Sequence, residues 1–208
     1  MTTCAVIITG LNQWDEFTRP LLCDLQDWGK ATEILLVDNA SEPPYPENGY
    51  YKTIRTERIC YSAAINRAAR ETSADWLLSM NNDVSCYAEF MPLLASLEPN
   101  AIYARQIITE QKHTWFGNWI VAIPRPVWES VGEFDERFLA CGFEDADYSM
   151  RAIDKGYPTR HVDLPFFHHW GQTRWQIPGY PATRLQNIAY FNSKHGWEPG
   201  GNMVVTHD

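Results

Sequence analysis

Three short apolar runs stand out along the chain, and each ends on or runs straight into a polar or acidic residue. Cys4–Thr9, Glu33–Asp38 and Asp75–Met80 are rich in aliphatic and β-branched residues with no polar alternation, the pattern of strands covered on both faces. Between the first two, Phe17, Leu21, Leu25 and Trp28 recur at helical spacing. Gly29 follows as a stop, and Pro20 must lie in the first turn of this helix or bend it. Asn39–Gly49, with three prolines, reads as a loop, and Lys52–Ile54 as a third short strand. Tyr61–Thr72 is Ala-rich and predicts a helix, as does Tyr87–Leu97 before Pro99. Such alternation of strand and helix predicts an α/β fold around a largely parallel sheet.

The second half is less regular. It predicts a strand over Trp119–Ile123, a short helix over Arg125–Val131 and a helix over Glu144–Lys155 closed by Gly156. An extended stretch follows over Arg160–Phe167, then a last helix over Ala182–Lys194. No repeat, low-complexity tract or linker interrupts the 208 residues, which therefore read as a single domain.

Composition narrows the classes. An apolar fraction of 45% supports a real core, and nine Trp and ten Tyr exceed what a core needs, leaving aromatic faces to stack on sugars or bases. A net charge of −9 with no basic run argues against a protein built to grip nucleic acid. It leaves a small anionic substrate open, because a bound cation inverts the local sign. The five cysteines are scattered and form no C-x-x-C pair, so neither a zinc ribbon nor a redox motif is indicated. Reduced thiols, no signal-type N-terminus and no apolar run near the ~20 residues of a membrane span predict a cytoplasmic protein.

Candidate chemistry falls at two acidic corners. Asn81-Asn82-Asp83 directly follows a buried strand, and Asp38 ends another. Ligands of open α/β sheets bind beyond such strand ends. For Asp38 a turn role and a ligand contact are equally consistent with its place. Asp83, beside two asparagines, better suits Mg²⁺ or Mn²⁺, whose oxygen ligands come partly from water and phosphate. Gly142-Phe-Glu144-Asp145-Ala-Asp147 opens a helix. Acids there complement the helix dipole, but three within four residues exceed what a cap requires. Crowding can lift one of their pKa values into the range of a general base. His168-His169 follow Pro165-Phe-Phe and offer imidazoles to Mn²⁺. They belong to no zinc spacing. A dinucleotide fingerprint, a P-loop and a G-x-S-x-G nucleophile elbow are all missing.

Taken in order, these pieces resemble the glycosyltransferases of the GT-A fold, an α/β/α sandwich of the nucleotide-diphospho-sugar transferase type, and most of all family 2. Ala5–Thr9 resembles that family's first strand, Leu36-Val-Asp38-Asn39-Ala-Ser41 its V-D-N-x-S segment, and Ala64-Ile-Asn66 its A-x-N. Leu78–Asp83 resembles the D-x-D region. Val131–Phe138 with Gly142–Asp147 resembles G-x-F-D-E-x-F…E-D-x-D, and His168–Thr173 resembles H-x-x-G-x-[ST]. The resemblance implies a donor-binding half over residues 1–100 and an acceptor-binding half over 101–208. It implies donor contacts at Thr9, Asp38, Asn66, Asn82 and Asp83, with Asp38 on the base. It implies a metal at Asp83, Asn81 and His168 or His169, and acceptor contacts at Trp119, Glu144 and Trp170. Asp145 would be the general base, with Glu144 beside it. The implied reaction is inverting transfer from a nucleotide sugar to a hydroxyl of a glycan, a small molecule or a modified base, possible in a homo-oligomer. Asn81 stands where many members carry an Asp, and Cys60 where they carry Gly. The rival readings are a sugar-phosphate nucleotidyltransferase, whose Gly-rich basic loop is not found at Thr9–Asp15, and a non-catalytic carbohydrate-binding protein.

Overall fold

The computed structural model describes residues 2–31, 33–110, 112–169, 177, 179–199 and 204–206. Its centre is a seven-stranded sheet in the order β10-β6-β9-β4-β1-β2-β3. The apolar runs supply β1 (Cys4–Gly10), β2 (Glu33–Asn39) and β4 (Trp76–Asn81), and β3 (Lys52–Thr56) lies at one edge. These four run parallel, with Thr9 level with Asn81 and Gly10 level with Asp38. β9 (Ile120–Pro124) is antiparallel to both neighbours, β4 and β6 (Ile102–Ala104), and β10 (Thr159–His161) is parallel to β6.

Both faces of the sheet are covered, which is why its strands show no polar alternation. Val6, Ile8, Leu36, Leu78 and Met80 pack on one side with Leu21 and Leu25 of the first helical segment. That segment is α1 (Arg19–Asp24), flanked by π-helical turns at Trp14–Thr18 and Leu25–Gly29. Pro20 sits in the first turn of α1, where its missing N–H costs nothing. On the other face Ala5, Ile7, Leu35, Val37 and Leu77 meet α2 (Tyr61–Ala69), α4 (Arg125–Val131) and α5 (Glu144–Asp154). α3 (Met91–Ser96) supplies Leu94 to the first face. A third cluster, with Trp115, Phe143, Met150 and Phe191, joins α5 to α6 (Tyr180–His195).

Several expectations are corrected. The helix over Tyr87–Leu97 shrinks to α3, because Val84–Cys86 continues as β5 and pairs with β11 (Phe166–His168), while the Tyr87 N–H bonds the Pro165 carbonyl. The extended stretch Arg160–Phe167 is two strands in two sheets, β10 and β11. Five strands escaped the pattern entirely: β5, β6, β7 (Ile107–Glu110), β8 (His113–Phe116) and β12 (Val204–Thr206). Each has only three or four residues, too few for periodicity to register. β12 completes a sheet with β7 and β8. Helix ends elsewhere shift by up to three residues, Thr72 lying beyond the end of α2 at Ala69.

Among the described residues no helix is long and apolar enough to cross a membrane.

Candidate active site

The carboxyl ends of β1 and β4 open into a cleft of about 310 Å³. Thr9, Gly10, Asn39, Asn81, Asn82 and Asp83 form its floor, and Tyr61, Asn118 and Trp119 one wall. Ala140–Gly142, Glu144, Asp145, Tyr180 and His168 complete the lining, and the Ala140 carbonyl accepts the Tyr61 N–H at 2.7 Å.

Asp83 is 1% exposed. The β5–β11 pairing sets His168 opposite Val84 and so delivers its Nε2 to within 3.3 Å of the Asp83 carboxylate. Trp119 stacks flat on His168, with centroids 5.0 Å apart and planes 1° apart. His169 faces away, its ring bonded to the Ser85 hydroxyl at 2.7 Å and packed on Phe17. Of the two histidines, His168 lines the cleft and His169 does not. Asn81 lines the cleft, but its amide oxygen accepts the Tyr61 hydroxyl at 2.9 Å, which turns it toward α2 rather than toward a cation. Asn82 donates to the Thr18 hydroxyl at 3.0 Å, holding the floor against the first helical segment. Asp83 and His168 thus form a pair, and among the described residues no group of three such ligands exists. One carboxylate and one imidazole suit Mn²⁺ or Mg²⁺ when phosphate oxygens of a substrate complete the shell.

Beside Tyr61, a strained approach aims the acids. Ala140, Gly142 and Phe143 all have positive φ (51°, 113° and 71°), a conformation that side chains disfavour and that clusters at working sites. The turn hands α5 its first residue, Glu144, already inside the wall and only 4% exposed. The Gly142 N–H donates to the Glu144 carboxylate. Burial, with the Asp145 carboxylate next to it, pushes the Glu144 pKa up to about 8, and the Asn118 carboxamide facing it partly offsets the rise. Asp145 is half-exposed at the cleft, and its Oδ1 accepts the Ala146 N–H at 2.9 Å. Asp147 leaves the site. It is fully buried between Arg151, Lys194 and His195, whose charges and hydrogen bonds hold its pKa down against burial and tie α5 to α6.

Two expected donor contacts are not brought to the cleft. Asn66 is fully buried, and its carboxamide clamps α2 to the Phe134 main chain on both sides and to Glu136. The Asp38 carboxylate is likewise fully buried. It accepts the Ser41 and Tyr45 N–H groups and pairs with Arg55, hydrogen bonds that hold its pKa down. Its place is the organisation of the loop that carries Asn39 to the cleft. Trp170 lies outside the described residues. Sequence reasoning missed Tyr61, Gln106 and Asn118 on the cleft wall. None carries a local signal, because only strand pairing brings them there.

The raised Glu144 pKa sets a pH dependence. An acid whose folded pKa exceeds its unfolded value binds more protons when folded, so stability falls as pH rises between the two, here from about 4.5 to about 8. Melting of the ligand-free protein should therefore drop across that window. Glu144→Gln should flatten the drop and leave the variant more stable than the parent at pH 8. An unchanged slope would remove Glu144 from the buried, crowded state described here.

A scan against models of known protein families gives no match, and a sequence comparison with curated proteins gives none either. Solved structures do match. The mannosyltransferase PcManGT of Pyrobaculum calidifontis, solved with GDP-Man and Mn²⁺, is 17% identical over 94% of this chain, at a TM-score of 0.63. GalNAc-T7 with UDP, GalNAc and Mn²⁺ is 15% identical over 81%, at 0.67, and S. aureus TarS 11% identical over 96%, at 0.64. The chain spans 65%, 44% and 41% of the lengths of those proteins. The protein has the GT-A fold, with a mostly parallel central sheet between helical layers.

Proposed function

We propose that the protein transfers a sugar from a nucleotide-diphosphate donor to an acceptor hydroxyl. The supporting observation is a cleft on a GT-A sheet whose lining holds both the Asp83–His168 pair and the acids Glu144 and Asp145. The first half of the chain handles the donor and the second the acceptor. The solved relatives carrying nucleotides and Mn²⁺ favour the same reading.

In this mechanism the transfer is one in-line displacement with inversion. Asp145, the solvated member of the acid pair, takes the acceptor proton as the oxygen attacks the anomeric carbon. The bond from that carbon to the phosphate oxygen breaks, and its electrons leave with the diphosphate. Glu144, protonated near neutral pH by its burial, donates a hydrogen bond that orients the acceptor. Asp83 and His168 would hold Mn²⁺ or Mg²⁺, which when bound neutralises charge on the diphosphate. Trp119 fixes His168 by stacking and offers its edge to the cleft.

Binding of the leaving group tests this without knowledge of the sugar. UDP or GDP at ~100 times its Kd stabilises by ~2.7 kcal/mol, a rise of roughly 5–10 °C in melting temperature for a chain of this size. The rise should require Mn²⁺ or Mg²⁺. No rise with either nucleotide, with or without metal, would remove the donor site.

A further inference from the structure

Asn118 sits in the turn between β8 and β9. The main chain there is fixed by three hydrogen bonds. The Gly117 N–H donates to the Gln106 carbonyl at 2.9 Å, the Tyr61 hydroxyl reaches the Asn118 carbonyl at 3.0 Å, and the Asn81 N–H donates to the Trp119 carbonyl at 3.0 Å. The side chain is in a different state. Asn118 is only 9% exposed, and it faces the Glu144 carboxylate closely enough to lower its pKa, yet among the described residues neither its amide oxygen nor its amide nitrogen makes a hydrogen bond of good geometry. Buried polar groups in this state destabilise the free protein and call for an explanation. A ligand that completes them supplies one.

The surroundings say which part of a ligand. Asn118 lines the cleft, and its carboxamide faces Glu144. The next residue, Trp119, stacks on His168, the neighbour of Asp83. Asn118 therefore lies between the Asp83–His168 pair, suited to a diphosphate, and the Glu144 corner, suited to an attacking hydroxyl. In an in-line displacement the transferred sugar occupies that interval. Gln106, also 9% exposed, adds a second carboxamide to this wall. It packs directly over Gly117, where a Cβ would stand 2.0 Å from its Oε1, so a side chain at 117 would displace it from this position.

We propose that Asn118 is the residue that selects the transferred sugar, its carboxamide accepting from one ring hydroxyl and donating to its neighbour, with Gln106 beside it on the same wall. The inference rests on the glycosyl-transfer reading above. An amide oxygen and an NH₂ on one planar group match two adjacent hydroxyls, and an epimer that reorients one of them loses a hydrogen bond while leaving a buried group unpaired. Sites built this way reject the wrong partner far more strongly than apolar pockets do.

The test is Asn118→Leu, of the same branched shape and without polar atoms, with Asn118→Ala as the second variant should leucine fail to fold. Three quantities are compared with the parent: melting temperature without ligand, affinity for UDP and GDP with Mn²⁺, and kcat/KM across epimeric nucleotide sugars such as UDP-glucose and UDP-galactose. The variant should melt at the same temperature or higher, since an unpartnered polar group has been removed. Nucleotide affinity should stay within about twofold, while kcat/KM for the preferred donor falls by about 10²-fold and the ratio between epimers collapses toward one. An unchanged epimer ratio, or nucleotide affinity lost in parallel with turnover, would overturn the assignment. A parent protein that releases nucleoside diphosphate from no donor would instead overturn the glycosyl-transfer reading itself.

Discussion

Replacing Asp145 by Asn is expected to cut sugar transfer by ~10²-fold or more, the low end of what a positioned general base contributes. The substitution is nearly isosteric. The oxygen that accepts the Ala146 N–H at 2.9 Å has a counterpart in the amide, so the start of α5 should hold. Affinity for nucleoside diphosphate should change little, because the metal is assigned to Asp83 and His168 and not to Asp145. Glu144→Gln is the informative partner. Glu144 is buried and protonated near neutral pH, so glutamine preserves its donating capacity, and transfer should fall much less. The reverse pattern, near-normal transfer in Asp145→Asn with loss in Glu144→Gln, would make Glu144 the base. No effect from either would return the cluster to a helix start.

Replacing Asp83 by Ala is expected to abolish metal-dependent nucleotide binding. Residues that merely support a metal ligand typically cost ~10–100-fold in affinity, and loss of the single carboxylate in a two-residue site should exceed that. The comparison is with the adjacent histidines. His168→Ala should weaken the same binding, since its Nε2 lies 3.3 Å from Asp83. His169→Ala should leave it near the parent value, because that ring bonds Ser85 instead. Metal-independent nucleotide binding that survives in Asp83→Ala would contradict the assignment of this corner.

Much of the frame was legible in the sequence because burial on both faces writes unbroken apolar runs, as in β1, β2 and β4. The acid-rich start of α5 and the strand-end Asp83 were legible for the same reason: each sits at a fixed offset from a strong local pattern. What stayed hidden depends on pairing between distant segments. His168 and His169 are indistinguishable by composition, and only the register of β11 on β5 turns one toward Asp83. Asp38 and Asn66 show the converse difficulty. Both match a recognisable segment, yet their side chains are engaged by Ser41, Tyr45 and Arg55 in one case and by Phe134 and Glu136 in the other. A residue type favoured for binding a ligand is equally favoured for satisfying a loop. Asn118 had no signature at all, lying in a turn that follows β8, a strand too short to predict.

The most direct test of glycosyl transfer is turnover. The purified protein is incubated with Mn²⁺ and a panel of UDP- and GDP-sugars, with and without candidate hydroxyl acceptors, and released nucleoside diphosphate is measured. At least one donor should yield nucleoside diphosphate, slowly with water and faster with an acceptor, and Asp145→Asn should lose the acceptor-dependent part. Release of pyrophosphate from a nucleoside triphosphate and a sugar phosphate, with no nucleoside diphosphate from any nucleotide sugar, would contradict the account.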